Sequence, residues 1–428
     1  MLREILPERR EARWLLAGVL VSSLGRGLTL PFLFIYLTEV RGFSDAAAGL
    51  AVGWFGAVLL ICSPIGGTLM DRFGTRRVML PGYLAQAAGS TVLALVHHPA
   101  AILAALAVMA AGGAPTWPGG ATLLASLTRE PERQRTFGLQ FALLNLGIGI
   151  GGLIAGAVVD SSRPVTFQIV YLADAVTFLI PFAILLAMRG VGHAPPPRAE
   201  SGPRGGYLTV LRNRPFRRLL LFALFLSTCG YAQIEVGFAA YAVRVAEVPP
   251  RVVAWALAAN TVTIVAAQLL VVKRLEGRSR TGALALVGAV FAASWLILGA
   301  GGLAGDGSVA AALCVIGCAT VFACGETLLQ PVMPAVTNLL ATDDLRARYN
   351  SSITMLMGIA SVLGPVTAGP LIGAGLGTLW VVAMVIGCLL ASVLALSLRR
   401  LLTIAQDGRS GAVLLDPAVE HRGADQHQ

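Results

Sequence analysis

The chain has 428 residues, 56% of them hydrophobic and only 13% charged, with a formal net charge of +10. A soluble domain carries about 25% charged residues, so this composition, with a mean hydropathy of +0.77, excludes an ordinary water-soluble globular fold. The excess positive charge is spread over short segments between apolar runs, a pattern of membrane topology and not of nucleic-acid binding.

In chain order, apolar runs long enough for the roughly 20 residues of one bilayer crossing fall near 14–37, 46–69, 78–96, 100–127, 135–159, 165–188, 217–243, 252–272, 281–300, 308–338, 348–373 and 377–398. Membrane barrels show short alternating segments. Helices satisfy their own backbone groups in hydrocarbon and are the expected form. The prediction is an all-α membrane protein with twelve transmembrane helices in two pseudo-symmetric six-helix bundles. The first run has a basic leader and no small-residue cleavage site, so it is read as a retained helix.

With the N-terminus on the cytoplasmic side, 27 of the 32 basic residues fall in cytoplasmic segments, four fall outside and Arg26 lies within a span. The bias predicts both termini inside a multi-pass cell membrane protein. The stretch Arg189–Pro215, with Pro195, Pro196 and Pro197, reads as a flexible linker. The expected organisation is a bundle over 1–190, a cytoplasmic linker over 191–215, a second bundle over 216–400 and a disordered cytoplasmic tail over 401–428. A shift of 213 residues brings Arg133 onto Arg346, Gly151 onto Gly364 and Gly156 onto Gly369, as a duplicated unit would. The six cysteines all lie in apolar runs. Cys314 and Cys318 are four apart without a His or acid to complete a metal set, so no metal and no cofactor are expected.

The segment Gly66-Gly67-Thr68-Leu69-Met70-Asp71-Arg72-Phe73-Gly74-Thr75-Arg76-Arg77 joins two apolar runs by a tight charged turn. Asp71 stands where an acid can meet a neighbouring helix N-terminus, Gly67 and Gly74 permit close approach and a tight turn, and the arginines can pair with acids such as Glu130. Small residues crowd the fifth and eleventh spans, where Gly151, Gly156, Gly364 and Pro365 are read as helix-packing positions.

Four ionisable residues stand well inside spans: Arg26, Asp174, Glu235 and Glu326. Each costs roughly 2.5–3.5 kcal/mol near the bilayer centre and is tolerated mainly beside a wet cavity or a partner. Tyr231 and Glu235 are four apart and share a helix face. With Gln233 beside them, they suit a cationic amphipathic solute. Glu326 has Gln330 on the same face, and either serves the cavity or clamps to Arg26. Asp174 fits a structural partner as well as a transport role. A carboxylate such as Glu235 or Glu326 can take a proton from one side and release it to the other.

The motif Gly67-x-Leu69-x-Asp71-Arg72-x-Gly74-x-Arg76 resembles the loop between helices two and three of the major facilitator superfamily. Gly325-Glu326, Pro331, Pro334 and Leu345-Arg346-Ala347-Arg348-Tyr349 are similar to the helix ten to eleven region of its multidrug-efflux, drug:proton antiporter members. The resemblance implies that Asp71 and Arg72 latch the halves together on the cytoplasmic side, and that helices one, seven and ten line a central cavity. Export of hydrophobic or cationic compounds coupled to protons is the expected function, by a monomer in the lipid bilayer with no nucleic-acid partner. A proton-linked importer of sugars or other metabolites and a non-transporting receptor stay open as alternatives. No phosphate-binding loop or nucleophile–base pair points to an enzyme.

Overall fold

In the computed structural model, residues 6–160, 163–193, 206–235, 237–304 and 307–409 are described. The described residues are helical or turn throughout, without a strand. Helix α1 spans Arg10–Thr29 and is carried on to Val40 by short turns of changed pitch. It is followed by α2 (Asp45–Phe73), α3 (Thr75–Leu95), α4 (Pro99–Leu127), α5 (Glu130–Val158) and α6 (Pro164–Ala187). A short linker helix, Tyr207–Arg212, precedes α7. That helix runs through Arg214–Leu226, Ser227–Tyr231 and Ala232–Glu235, and continues as Gly237–Arg244 after a 47° bend. The remainder is α8 (Pro250–Leu275), α9 (Arg280–Leu303), α10 (Val309–Leu340), α11 (Arg346–Gly373) and α12 (Gly377–Leu398).

Ten of the described helices are long and apolar enough to cross a membrane, or up to eleven with the bent α7 pair taken as one span. Helix α1 falls short of that measure because Arg10, Glu11, Arg13 and Arg26 dilute its apolar residues. It nonetheless packs within the helical assembly, against α5 and α6.

The starts and stops follow local chemistry. Ser44, Ser279 and Ser308 each cap a helix by accepting a backbone N–H, and Asn213 does the same for α7. Gly74 adopts φ 92°, a conformation that favours glycine, and thereby turns α2 into α3 within one residue.

Helix contacts repeat with an offset of six: α1 on α5 and α6, α2 on α4, and α3 on α4 and α6 are matched by α7 on α11 and α12, α8 on α10, and α9 on α10 and α12. The two sets meet where α2 and α4 touch α11 and where α5 touches α8 and α10. Glycines make the α1–α5 contact possible. A Cβ at Gly151 would collide with the Leu24 carbonyl, and one at Gly27 with the Ile148 carbonyl. Gly364 plays the same part between α11 and Ala232 of α7. Gly156, expected as a packing position, is exposed with nothing within 4 Å of a Cβ there. Five residues on from Gly151, it is turned by roughly 140° away from the α1-facing side, while neighbouring Ala155 packs with Leu28 of α1. The Pro365 side chain is outside the described residues.

In α7 the wide turn Ser227–Tyr231 leaves a carbonyl free of the regular ladder. Trp295 Nε1 donates to that of Cys229 at 2.8 Å. Phe291 and Phe322 stack with centroids 3.9 Å apart beside it.

Two segments read as flexible are partly packed. Residues 194–205 of the linker lie outside the described residues, but 207–212 form a helix with Val210 fully buried. The tail is read as disordered from 401. Residues 410–428 are outside the described residues, yet Asp407 is fully buried. Its carboxylate accepts from Ser279 Oγ (2.8 Å), Thr281 N (2.9 Å) and Thr281 Oγ1 (2.8 Å), and pairs with Arg409 Nε at 2.8 Å. A polar segment is held down here because an acid meets the unpaired N–H groups at the start of α9.

Candidate transport cavity and latch

A cavity of about 140 Å³ lies between the two helix sets, walled by α4 and α5 on one side and α10 and α11 on the other. Trp117, Phe137, Phe141, Met333 and Met357 give it an apolar surface. Gln140, Gln330, Thr337, Asn350 and Thr354 supply uncharged hydrogen-bonding groups, and none of the lining residues is charged. Pro115 and Pro118 in α4 recur as Pro331 and Pro334 in α10, 216 residues later. Pro118 and Pro334 both face the cavity, so the duplicated prolines shape opposite walls.

Towards the arginine-rich end, polar contacts close the gap between the sets. Asn350 Nδ2 donates to Thr122 Oγ1 of α4 (3.2 Å) and to Asn338 Oδ1 (2.9 Å), and Asn338 Nδ2 donates back to Asn350 Oδ1 (3.3 Å). Beyond them, Asp71 at the end of α2 accepts the backbone N–H of Ala347 (3.0 Å) and of Arg348 (3.3 Å), and Arg348 Nε stands 3.7 Å from it. These are the first N–H groups of α11, where an anion meets unpaired donors and the positive end of the helix dipole. Gly67 lets α2 approach so closely that a Cβ there would meet Ser351 and the Tyr207 hydroxyl. Tyr207, from the linker helix, donates to the Pro64 carbonyl at 2.7 Å. Burial pushes its hydroxyl up to about 12, so it stays a donor at every physiological pH.

A second link joins α9 to α5. Arg280 Nη1 and Nη2 donate to Glu130 Oε1 at 3.1 and 3.0 Å. Glu130 is thus taken by Arg280 and not by an arginine of the α2–α3 turn. Arg76 instead caps the end of α6, donating to the carbonyls of Leu185 and Leu186 at 2.9 Å each. Arg72 stacks over Phe73 at 5.2 Å.

The ionisable residues singled out in the sequence do not form one cluster. Glu326 accepts from Asn260 Nδ2 of α8 at 2.8 Å, with the Tyr231 hydroxyl close by. Tyr231 in turn accepts from Gln330 Nε2 at 2.9 Å, and Gln330 lines the cavity. Tyr231 thus stands between Glu326 and the cavity-lining Gln330. Glu326 is not paired with Arg26. The latter lies with its guanidinium 5.0 Å from the Trp117 ring. Asp174 is buried and accepts from Ser90 Oγ at 2.9 Å, between α3 and α6. Gln233 is fully buried within the second helix set. It accepts from Trp380 Nε1 (3.1 Å) and donates to Thr367 Oγ1 (3.2 Å), away from the cavity lining. The Glu235 side chain is outside the described residues.

Trp117, Gln140, Asn350 and Asn260 were not singled out as site residues. The available signal was the proline pair around Trp117 and its recurrence in α10, together with uncharged amides inside apolar runs, which cost less than ions and stand out less.

These features define a helical membrane transporter with two facing helix sets. The Major Facilitator Superfamily profile matches residues 15–365, and the chain belongs to that superfamily. It is 26% identical over 376 residues, 84% of its length and 87% of the relative's, to the uncharacterized MFS-type transporter YqjV of Bacillus subtilis (strain 168). It is also 26% identical over 162 residues to the quinolone resistance protein NorA of Staphylococcus aureus (strain N315). That match spans 38% of this chain and 41% of NorA. Among solved structures, a bacterial homologue of the iron transporter ferroportin in an outward-facing state superposes with a TM-score of 0.75 at 15% identity. The superposition covers 92% of this chain and 100% of the other. This last likeness speaks for the fold alone.

Proposed function

We propose that the chain is a secondary active transporter of the bacterial cytoplasmic membrane that exports hydrophobic small molecules by alternating access, in exchange for protons. The observation that carries this reading is the apolar cavity between the facing helix sets, bounded at its arginine-rich end by the Asn350–Thr122 and Asp71–α11 contacts. With the basic residues on the cytoplasmic side, that end is the cytoplasmic gate, and bundles 1–190 and 216–400 rock about the cavity. The partial match to a quinolone resistance protein supports export of lipophilic cargo. Uncharged lining favours such cargo over cations.

Glu326 is the proton carrier in this reading. Its carboxylate is buried beside Tyr231, whose hydroxyl accepts from the cavity-lining Gln330. A proton leaving Glu326 leaves a carboxylate that draws the Tyr231 O–H more strongly, and through the Gln330–Tyr231 bond this couples charge to the cavity wall. The test is flux of a hydrophobic fluorophore in proteoliposomes with and without an imposed pH gradient. The gradient is expected to drive accumulation, and Glu326→Gln is expected to lose that stimulation while remaining folded. Gradient-independent flux in the unaltered protein would remove proton coupling. Binding without any flux would favour a receptor.

A further inference from the structure

Arg26 lies in α1, within a membrane-crossing run, and is half-buried. A guanidinium carries five N–H donors and keeps its charge at every physiological pH. Among the described residues, none of these donors meets a hydrogen-bond acceptor and no carboxylate stands at ion-pair distance. Its one close partner is the ring of Trp117, a residue that is 46% exposed and lines the central cavity. Asp174 and Tyr83 act on Arg26 through space; the Asp174 carboxylate takes a hydrogen bond from Ser90 on Oδ2, while its buried Oδ1 has no hydrogen-bond partner among the described residues.

An ion inside a bilayer without a partner is costly, and a structural arginine there is paired. Stacking on an indole face offsets only part of that cost and uses none of the N–H donors. What the guanidinium fork lacks is an oxyanion within hydrogen-bond distance. The cavity wall provides no charge of its own, so the field inside it is set by groups behind the wall. Arg26 makes that field positive at Trp117.

We propose that Arg26 is the recognition point for the anionic head group, a carboxylate or similar oxyanion, of an amphipathic solute whose apolar body lies against Trp117, Phe141, Met333 and Met357. The inference rests on the reading of this cavity as the transport site and narrows its cargo from hydrophobic compounds in general to organic anions. A planar carboxylate matches the guanidinium fork, which receives it through two parallel hydrogen bonds. The Trp117 ring then bridges the head group and the apolar body.

The experiment uses the full chain in lipid nanodiscs and three probes of one shape: 4-phenylbutyrate, 4-phenylbutanol and 4-phenylbutylammonium. Binding is read by calorimetry. The unaltered protein is expected to bind the carboxylate at least tenfold more tightly than the alcohol, and the ammonium least. Arg26→Gln is expected to bring carboxylate and alcohol within about twofold, Arg26→Lys to retain a reduced preference, and Asp174→Asn to tighten carboxylate binding by removing a competing anion. Ala121→Trp, which fills the cavity, should abolish binding of all three. Equal binding of the three probes, or a preference for the ammonium, overturns the proposal. An anion preference that survives Arg26→Gln overturns the role of Arg26 while leaving the cavity intact, provided Ala121→Trp blocks binding. Binding that survives Ala121→Trp overturns the cavity reading itself. If Arg26→Gln fails to fold, the order of affinities in the unaltered protein and in Arg26→Lys decides.

Discussion

Asp71 is the residue at which local sequence and distant structure meet. Its position at the end of an apolar run, between two glycines, marks it as an acid beside a helix end. The sequence does not say which helix, because Ala347 and Arg348 are 276 and 277 residues away. The two N–H groups and the helix dipole together stabilise the contact by about 1–2 kcal/mol. Asp71→Asn keeps the shape and removes the charge. It is expected to favour separation of α2 from α11 by about tenfold, read as shorter-lived closure in electron-spin distance distributions between these helices. Unchanged distributions would assign Asp71 to turn formation only. Arg76 shows the opposite lesson: an arginine expected to seek an acid settles on the free carbonyls of α6, which need a donor as much as an acid needs a cation.

At the level of elements, Gly151 of α5 sits where a Cβ would have no room against Leu24. Gly156 is exposed, since a five-residue step turns it by roughly 140° from Gly151 and off the α1-facing side. The terminal segment follows another rule. Asp407 caps α9, while the backbone carbonyls of Gln406 and Asp407 accept from Arg280 and steady the side chain that reaches Glu130. Asp407→Ala leaves the Ser279 hydroxyl and the Thr281 N–H and hydroxyl without their carboxylate acceptor. The expected cost is about 2–4 kcal/mol, seen as a lower melting temperature and faster amide exchange at Thr281–Leu284. Exchange confined to residues after 403 would show that the segment rests on α9 without supporting it. Nothing in hydropathy distinguishes this segment from a loose tail, because one buried carboxylate with four bonds outweighs several exposed polar residues.

For the whole molecule, the proposed function requires the two helix sets to separate at the arginine-rich end. Thr122 and Asn350 face each other across that boundary at 3.2 Å. With the six native cysteines replaced, joining Thr122→Cys to Asn350→Cys by a reducible bis-thiosulfonate reagent is expected to stop flux until reductant is added. Flux that continues through the cross-link would mean that the sets do not part there. The uncharged floor of Asn338, Asn350 and Thr122 keeps this closure weak enough to open, since neutral hydrogen bonds contribute only about 0.5–1.5 kcal/mol each.

The sequence by itself determined the helical class, the approximate spans and the tight turn at Gly74, because each is written in neighbouring residues: hydropathy over about 20 positions and a glycine where φ is positive. It also marked Arg26 and Glu326 as ions that need a reason to sit in oil. Only the tertiary structure decided what the reason is. Helices far apart along the chain bring Trp117 onto Arg26, Asn260 and Tyr231 onto Glu326, and the tail onto Arg280. Such pairings depend on helix rotation and crossing position, which a change of one residue in register turns by about 100°, and no local pattern encodes them.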